Sequence, residues 1–199
     1  EMESDRAEIA FDSSDKSKKE NNKRKPPTLE IKEWDSNASY INTLKSVDKK
    51  NVYLKYLEIN AEYEENPSFY FDVATYMFQK SLRTEGLRVI SNLAELELEN
   101  TEILRTLGRK LFEFEFYKEA EDVFKEVLES RSFEPHSYID LGLTYAELGE
   151  YQKAIESLYT VIDKDWDIDI ISRFHGIELI TLHDINNIIF QNRKKVNTS

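Results

Sequence analysis

Hydrophobic residues recur at helical spacing from about Trp34 onward, and the stretch LGLTYAELGEYQKAIESLYTVI at 141–162 shows the pattern most fully. Apolar side chains three and four positions apart predict amphipathic helices, and Gly149 divides the stretch into two of them. The apolar stripe between the two helices consists of Leu141, Tyr145, Ile155 and Leu158. The stretch therefore predicts a helical hairpin with a tight turn at Gly149.

The same pattern returns every 34 residues. Gly108, Gly142 and Gly176 are evenly spaced, and the small residue Ala74 lies one further period before them. Other positions repeat in type with the same step: Val73, Leu107 and Leu141; Arg83, Tyr117 and Tyr151; Gly86, Ala120 and Ala154; Ile90, Phe124 and Leu158; Leu93, Val127 and Val161. A fixed period of this length predicts a stack of repeated structural units.

The period and its residues resemble the tetratricopeptide repeat, a helix–turn–helix unit of 34 residues. The third repeat matches eight signature positions of that family in type: Tyr138, Leu141, Gly142, Tyr145, Gly149, Tyr151, Ala154 and Leu158. The resemblance implies an all-α fold, a right-handed α-solenoid of stacked helical hairpins. It divides 67–190 into repeats 67–100, 101–134 and 135–168 and a C-terminal helix at about 169–190, although the first repeat has Met77 and Arg83 in place of aromatic residues.

The proposed helix boundaries carry matching local signals. Pro67 and Pro135 suit the first turn of a helix, where a missing N–H costs nothing. Asn100 is expected to cap the helix that opens at Thr101, and Asp167 or Asp169 to cap the C-terminal helix.

The flanks of the repeats differ from them. Residues 1–30 are polar and mixed in charge, which predicts a disordered linker; the basic cluster within it is an alternative interaction tail. Residues 31–66 are expected to form N-terminal capping helices, and 191–199 a tail. The side chains expected to pack on the first repeat are Tyr53, Leu54, Tyr56, Leu57 and Tyr63.

A second resemblance rests on four stretches: EWDSNASYINTL, RVISNLAELELEN, EPHSYIDLGLTYAELGEYQKAIESLYTVI and RFHGIELITLHDINNII. They are similar to a helical region of large bacterial proteins that carry vault/inter-alpha-trypsin and von Willebrand-type domains. The resemblance covers about 30–190. It implies an exported, envelope-associated protein in which this chain is a helical module without catalytic residues.

Charge and composition exclude several classes of function. The net charge is −12, from 39 acidic and 27 basic side chains, and nucleic-acid binding needs a basic surface. No apolar run reaches the roughly 18–20 residues of a membrane span. There is no cysteine, so disulfides, thiolate catalysis and cysteine-ligated zinc are excluded.

No motif points to catalysis or to a metal. The three histidines, His136, His175 and His183, do not form the HExxH zinc pattern. The stretch DKDWDIDI at 163–170 lacks the glycine and the closing glutamate of a calcium loop. We therefore expect no enzyme activity, no metal and no cofactor.

Function is instead expected on the concave surface, which the first helix of each hairpin lines in such stacks and which usually binds peptides. The predicted partner-binding residues are Phe71, Phe78, Arg105, Arg109, Phe112, Ile139 and Leu143. Ile139 and Leu143 stand where some members of the repeat family carry Lys and Asn to clamp a carboxylate, so tail binding of that kind is not predicted. Arg105 and Arg109 can pair with an acidic peptide or with Glu102 and Glu113 on their own helix.

These observations predict a non-catalytic interaction or scaffold module. Its partner is a peptide, a helix or a neighbouring domain of a larger protein. The alternative is a structural spacer between flanking domains, with its groove filled by its own C-terminal helix 169–190.

Overall fold

A computed structural model describes residues 37–96 and 100–196 of the chain; the side chains of residues 95, 96 and 171 are left out. The predicted linker 1–30 lies outside the described residues. Within them the structure has ten α-helices and no strand. The helices are α1 Ser39–Lys45, α2 Val52–Ile59, α3 Pro67–Gln79, α4 Arg83–Leu96, α5 Thr101–Glu113, α6 Tyr117–Ser130, α7 Pro135–Glu147, α8 Tyr151–Asp163, α9 Ile168–Arg173 and α10 Ile177–Gln191.

Six of these helices form three hairpins, α3 with α4, α5 with α6 and α7 with α8. The hairpins begin at Pro67, Thr101 and Pro135. Helix α4 contacts α5, α6 contacts α7, and α8 contacts α10, so each hairpin packs on the next. The described residues therefore form an all-α stack of tetratricopeptide-like helix pairs.

Small residues make room for a large side chain of the facing helix. A Cβ atom on Gly108 would lie 2.6 Å from the ring of Phe124, and one on Gly142 would lie 2.8 Å from Cγ of Leu158. Both distances are shorter than carbon atoms tolerate. The period-34 glycines at these two positions thus reflect a steric requirement inside the α5/α6 and α7/α8 hairpins.

The turn inside each hairpin uses one residue in the left-handed region. Ser81, Glu115 and Gly149 occupy equivalent positions, with φ of 57°, 63° and 77°. The residue after each of them donates its backbone N–H back across the turn; Glu150, for example, donates to the carbonyl of Tyr145 at 2.8 Å. Sequence analysis predicted this turn only at Gly149, because glycine is the residue that usually indicates positive φ and the other two positions are Ser81 and Glu115.

The predicted helix starts are present in the structure. Pro67 and Pro135 each lie in the first turn of their helix. Asn100 caps α5 by accepting hydrogen bonds from the backbone N–H groups of Glu102 and Ile103. At the equivalent position before α7, Glu134 makes no capping hydrogen bond, and its carboxylate is used elsewhere.

Helices α1 and α2 pack on the first hairpin through aromatic side chains. The ring of Tyr56 is 2% exposed and stacks near Phe69, while Tyr53 and Tyr63 are partly buried against the same core. The expectation for Leu54 and Leu57 is wrong, since they are 60% and 52% exposed. They lie on the side of α2 opposite the buried Val52 and Tyr56, because residues two or five positions apart fall on different faces of a helix.

The single C-terminal helix predicted at 169–190 is also wrong. The helix is interrupted at Gly176, which has φ of 83° and directly precedes α10. A Cβ atom on Gly176 would meet nothing within 4 Å, so this glycine serves a turn and not a helix crossing. Asp167 precedes α9 but makes no side-chain capping bond. Helix α10 nevertheless packs on α8, where Ile185 and Ile188 contact the small cluster that contains Leu158.

Candidate partner-binding surface

Helices α5, α7 and α10 share one surface that contains an open cavity. The cavity measures about 350 Å³ and is lined by Phe112, Leu143, Ala146, Glu147, Tyr151, Asp184, Asn187, Ile188, Gln191 and Asn192. A second cavity of about 190 Å³ lies beside it, lined by Arg109, Phe112, Phe124, Asp140 and Leu143. Phe112 and Leu143 belong to both, so the two cavities form one continuous surface, which we call the inner groove.

Three of the predicted partner-binding residues meet in the inner groove. Phe112 and Leu143 are half-buried and supply its apolar floor. Arg109 lies at its edge with a side chain that is 53% exposed. The structure therefore brings these three side chains together on one surface.

The other four predicted residues lie elsewhere. Phe78 is 7% exposed and packs 4.4 Å from the ring of Phe114 in the next hairpin, centroid to centroid. Phe71 packs against the main core. Ile139 packs against the cluster that α10 covers. The fourth, Arg105, is buried among charges.

A row of polar contacts, which we call the charged seam, joins α5 to α7 and to the residue before it. The guanidinium of Arg105 lies 2.7 Å from the carboxylate of Glu134 and donates to Oγ of Ser137 at 3.0 Å. The guanidinium of Arg109 donates to both carboxylate oxygens of Asp140, at 3.2 and 3.3 Å. The Arg105 side chain is only 10% exposed, so its charge is compensated inside the protein and is not presented to a partner.

The arginines do form ion pairs within the chain, as one of the two sequence-based alternatives predicted. Most of their partners are not the predicted Glu102 and Glu113. Glu102 is 3.8 Å from Arg105 and largely exposed, a weaker contact than the one with Glu134. Glu113 pairs with Lys110 at 2.9 Å. Asp140 belongs to the following repeat and Glu134 is the last residue of the same repeat, so pattern analysis within one helix does not reach either of them.

Burial dominates the electrostatics of the seam. It raises the pKa of Asp140 above its usual range, against the lowering effect of the nearby Arg109 and Arg105. It also lowers the pKa of His136, whose ring lies 4.8 Å from that of Phe174. These ion pairs link α5 to α7 and to the residue that precedes α7.

The rim of the inner groove is acidic and rich in amides. Glu147 is exposed on α7 and Asp184 is half-buried on α10. Burial raises the pKa of Tyr117, and the charges of Glu147 and Glu115 add to the shift. Asn187 and Gln191 on α10 add amides that donate and accept hydrogen bonds.

Sequence reasoning placed the C-terminal helix 169–190 in the groove as an alternative, but it named no residue of that helix as a site residue. Asp184, Ile188 and Gln191 lie at helical spacing along one edge of α10. That spacing was the signal available for them.

The described residues contain neither a metal-ligating cluster nor a membrane-spanning helix. Ranges 37–96 and 100–196 contain no group of three or more metal-ligating side chains. His175 and His183 are both exposed. No helix in those ranges combines the length and the apolar character needed to cross a membrane.

Comparison with known proteins gives no family. No protein-family model matches the chain, and no curated protein matches its sequence. Among solved structures, a crystal structure of MamA superimposes with a TM-score of 0.44 at 16% identity, covering 79% of this chain and 96% of that chain. MamA 41-end from Desulfovibrio magneticus RS-1 gives 0.43 at 15% identity, with 79% and 93% covered. The description of the fold as tetratricopeptide-like rests on the hairpins, turns and small-residue packing of the chain itself.

Proposed function

We propose that the chain is a non-catalytic protein-interaction module that binds a peptide or helix in the inner groove. The main supporting observation is the open cavity of about 350 Å³, which is lined by residues of four helices and has Phe112 and Leu143 at its base. Apolar floors with polar rims of this kind suit an amphipathic helix or an extended peptide with one buried anchor.

The rim specifies the chemistry of the partner. Arg109 is engaged with Asp140, while Glu147 and Asp184 remain on the surface. A partner segment with an aromatic or aliphatic anchor next to Lys or Arg would satisfy both the floor and the rim. This replaces the acidic peptide considered from the sequence, because the arginines that would bind it are already paired.

Selection of a random peptide display library on the purified chain tests the proposal. We expect enriched peptides to combine an apolar anchor with neighbouring basic residues. Phe112→Asp should weaken binding of a selected peptide at least about tenfold, the loss typical of a central anchor contact. Phe133→Asp is the matched control, since Phe133 is 49% exposed outside the groove; equal loss in both variants, or full binding by Phe112→Asp, contradicts the proposal.

A structural spacer is the second candidate, and one observation favours it. Helix α10 covers Ile139 through Ile185 and Ile188, so part of the surface is filled by the chain itself. If the spacer function is right, the library yields no peptide whose binding depends on Phe112.

We also propose, from the sequence resemblance alone, that this module belongs to a larger bacterial protein of the vault/inter-alpha-trypsin and von Willebrand type. Immunodetection in fractionated cells tests this. We expect a band well above 23.5 kDa in the envelope fraction, and a band at that mass in the soluble fraction contradicts it.

A further inference from the structure

The segment that follows α10 turns back onto the inner groove. Helix α10 ends at Gln191, and the backbone N–H and Nδ2 of Asn192 both donate to the carbonyl of Ile188, at 3.0 and 3.1 Å. The N–H of Lys195 then donates to the carbonyl of Asn192 at 2.8 Å. This turn places Nζ of Lys195 5.4 Å from the centre of the Tyr151 ring.

Tyr151 is part of the groove itself. It is half-buried and lines the same cavity as Phe112 and Leu143. The face of an aromatic ring attracts a Lys or Arg cation that lies over it. The lining that contains this ring also contains the carboxylates of Glu147 and Asp184. The Tyr151 ring therefore gives the groove a position for a positively charged side chain.

Three basic residues follow α10, and one of them lies over this ring. The guanidinium of Arg193 is 4.8 Å from the ring of Phe190, which does not line the cavity. Lys194 is exposed, and Lys195 is followed by the half-buried Val196. The segment thus offers a cation beside an apolar residue, which is the chemistry that we propose for the partner.

We propose that residues 192–196 compete with the partner for the inner groove. In the free chain Lys195 occupies the Tyr151 ring, and in the complex a Lys or Arg side chain of the partner takes its place. The inference rests on the proposed function and adds a regulatory contact to the same site. A single exposed cation–π contact is weak, so the segment tunes the affinity of the groove and does not block it.

The affinity of the groove for a basic peptide tests the competition. The probe is a fluorescein-labelled, Phe112-dependent peptide from the display library, and fluorescence anisotropy gives its dissociation constant. Lys195→Ala should bind it about two- to fivefold more tightly, the range expected for an exposed cation–π contact. Lys194→Ala is the matched control, because it removes the same charge from the neighbouring exposed position and should leave the affinity unchanged.

Changes at Tyr151 show whether the ring is the shared position. In a Tyr151→Leu background, Lys195→Ala should no longer change the affinity, because the position for which the two cations compete is gone. Tyr151→Phe keeps an aromatic face, and there the effect of Lys195→Ala should remain. Circular dichroism confirms that each variant is folded.

Nuclear magnetic resonance observes the contact without any partner. The ring current of Tyr151 should shift the ε-proton signals of Lys195 upfield from those of a solvated lysine. The shift should be lost in Tyr151→Leu and kept in Tyr151→Phe. Adding the selected peptide to the unmodified chain should return the Lys195 signals to the solvated position.

Three results overturn the competition. The first is an affinity that Lys195→Ala leaves unchanged or lowers, and the second is an equal gain in Lys194→Ala, which would mean that net charge alone is responsible. The third is the absence of the ring-current shift, which overturns the competition and leaves the proposed function standing. A shift that is present while no peptide depends on Phe112 overturns the proposed function and the competition together.

Discussion

The guanidinium of Arg105 lies 2.7 Å from the carboxylate of Glu134, so the second hairpin is tied to the residue that opens the third. Both side chains are at least nine-tenths buried. A buried charge that loses its partner is costly, since water cannot replace the lost contact. Replacing only one member of the pair should therefore lower the stability of the fold strongly.

Arg105→Met should lower the free energy of unfolding by about 3–5 kcal/mol, because it leaves the carboxylate of Glu134 buried and unpaired. Urea unfolding followed by circular dichroism measures the change. Lys110→Met on the same helix is the control, and should cost less than about 1 kcal/mol because its partner Glu113 is 59% exposed. Adding Glu134→Gln to Arg105→Met should recover part of the loss; equal losses for Arg105→Met and Lys110→Met would contradict the prediction.

Glu115→Gly should stabilise the protein. Glu115 adopts φ of 63°, a conformation that costs side-chain-bearing residues roughly 1–2 kcal/mol. Glycine avoids that cost but loses more backbone entropy on folding, so the expected net gain is roughly 0.5–1 kcal/mol. Thermal unfolding measures it.

Two comparisons define this effect. Gly149→Ala, at the equivalent turn, should destabilise by roughly 1 kcal/mol. Glu119→Gly, inside α6, should also destabilise by about 1 kcal/mol. A loss of stability in Glu115→Gly would show that its side chain contributes more than its backbone strain costs.

Gly108→Ala should destabilise the protein by about 1–3 kcal/mol, although alanine favours helix elsewhere. The new Cβ would lie 2.6 Å from the buried ring of Phe124, which cannot move without disturbing the hairpin. Unfolding of Gly108→Ala/Phe124→Leu, compared with each single variant, tests the cause. The double variant should be more stable than the sum of the two losses predicts, and simple additivity would argue against a steric origin.

Stability should depend on His136 at mildly acid pH. Burial lowers the pKa of His136 in the folded protein below its ordinary value of 6.5, with Arg109 and Arg105 adding to the effect and Asp140 and Glu134 opposing it. The unfolded chain then binds a proton first as pH falls. Stability should be fully present above about pH 6.5 and decline below it, toward the pKa of the folded state.

Urea midpoints at about pH 7.5 and about pH 5.5 measure this decline, and His136→Gln should reduce it. Asp140 has a raised pKa, so its contribution has the opposite sign. An identical pH dependence in both proteins would mean that His136 is not the group responsible.

The sequence predicts the hairpins well because their requirements are local and repeat. Gly108 and Gly142 recur at 34 residues since a side chain at either position would collide with the facing helix. The same spacing misleads at Gly176, where the glycine is needed for a left-handed turn. A glycine has two physical uses, and its position in a period does not distinguish them.

The candidate site is predicted less well, because it depends on contacts between repeats. Phe112 and Leu143, predicted from their register, both line the candidate groove. Arg105 has the right register, but its guanidinium forms an ion pair with Glu134. This ion pair exists only when the two hairpins are stacked. Opposite charges at positions that stacking brings together were the sequence signal that could have predicted this ion pair.

The two junctions of the stack differ in their contacts. The first joins Phe78 to Phe114 and Phe116. The second packs Leu141 into the main core and adds the charged seam between Arg105 and Glu134. Apolar contacts weaken on cooling, whereas buried ion pairs fail when their carboxylates are protonated. Cold and acid should therefore open the chain at different places, and amide hydrogen exchange would show the first junction losing protection in one case and the second in the other.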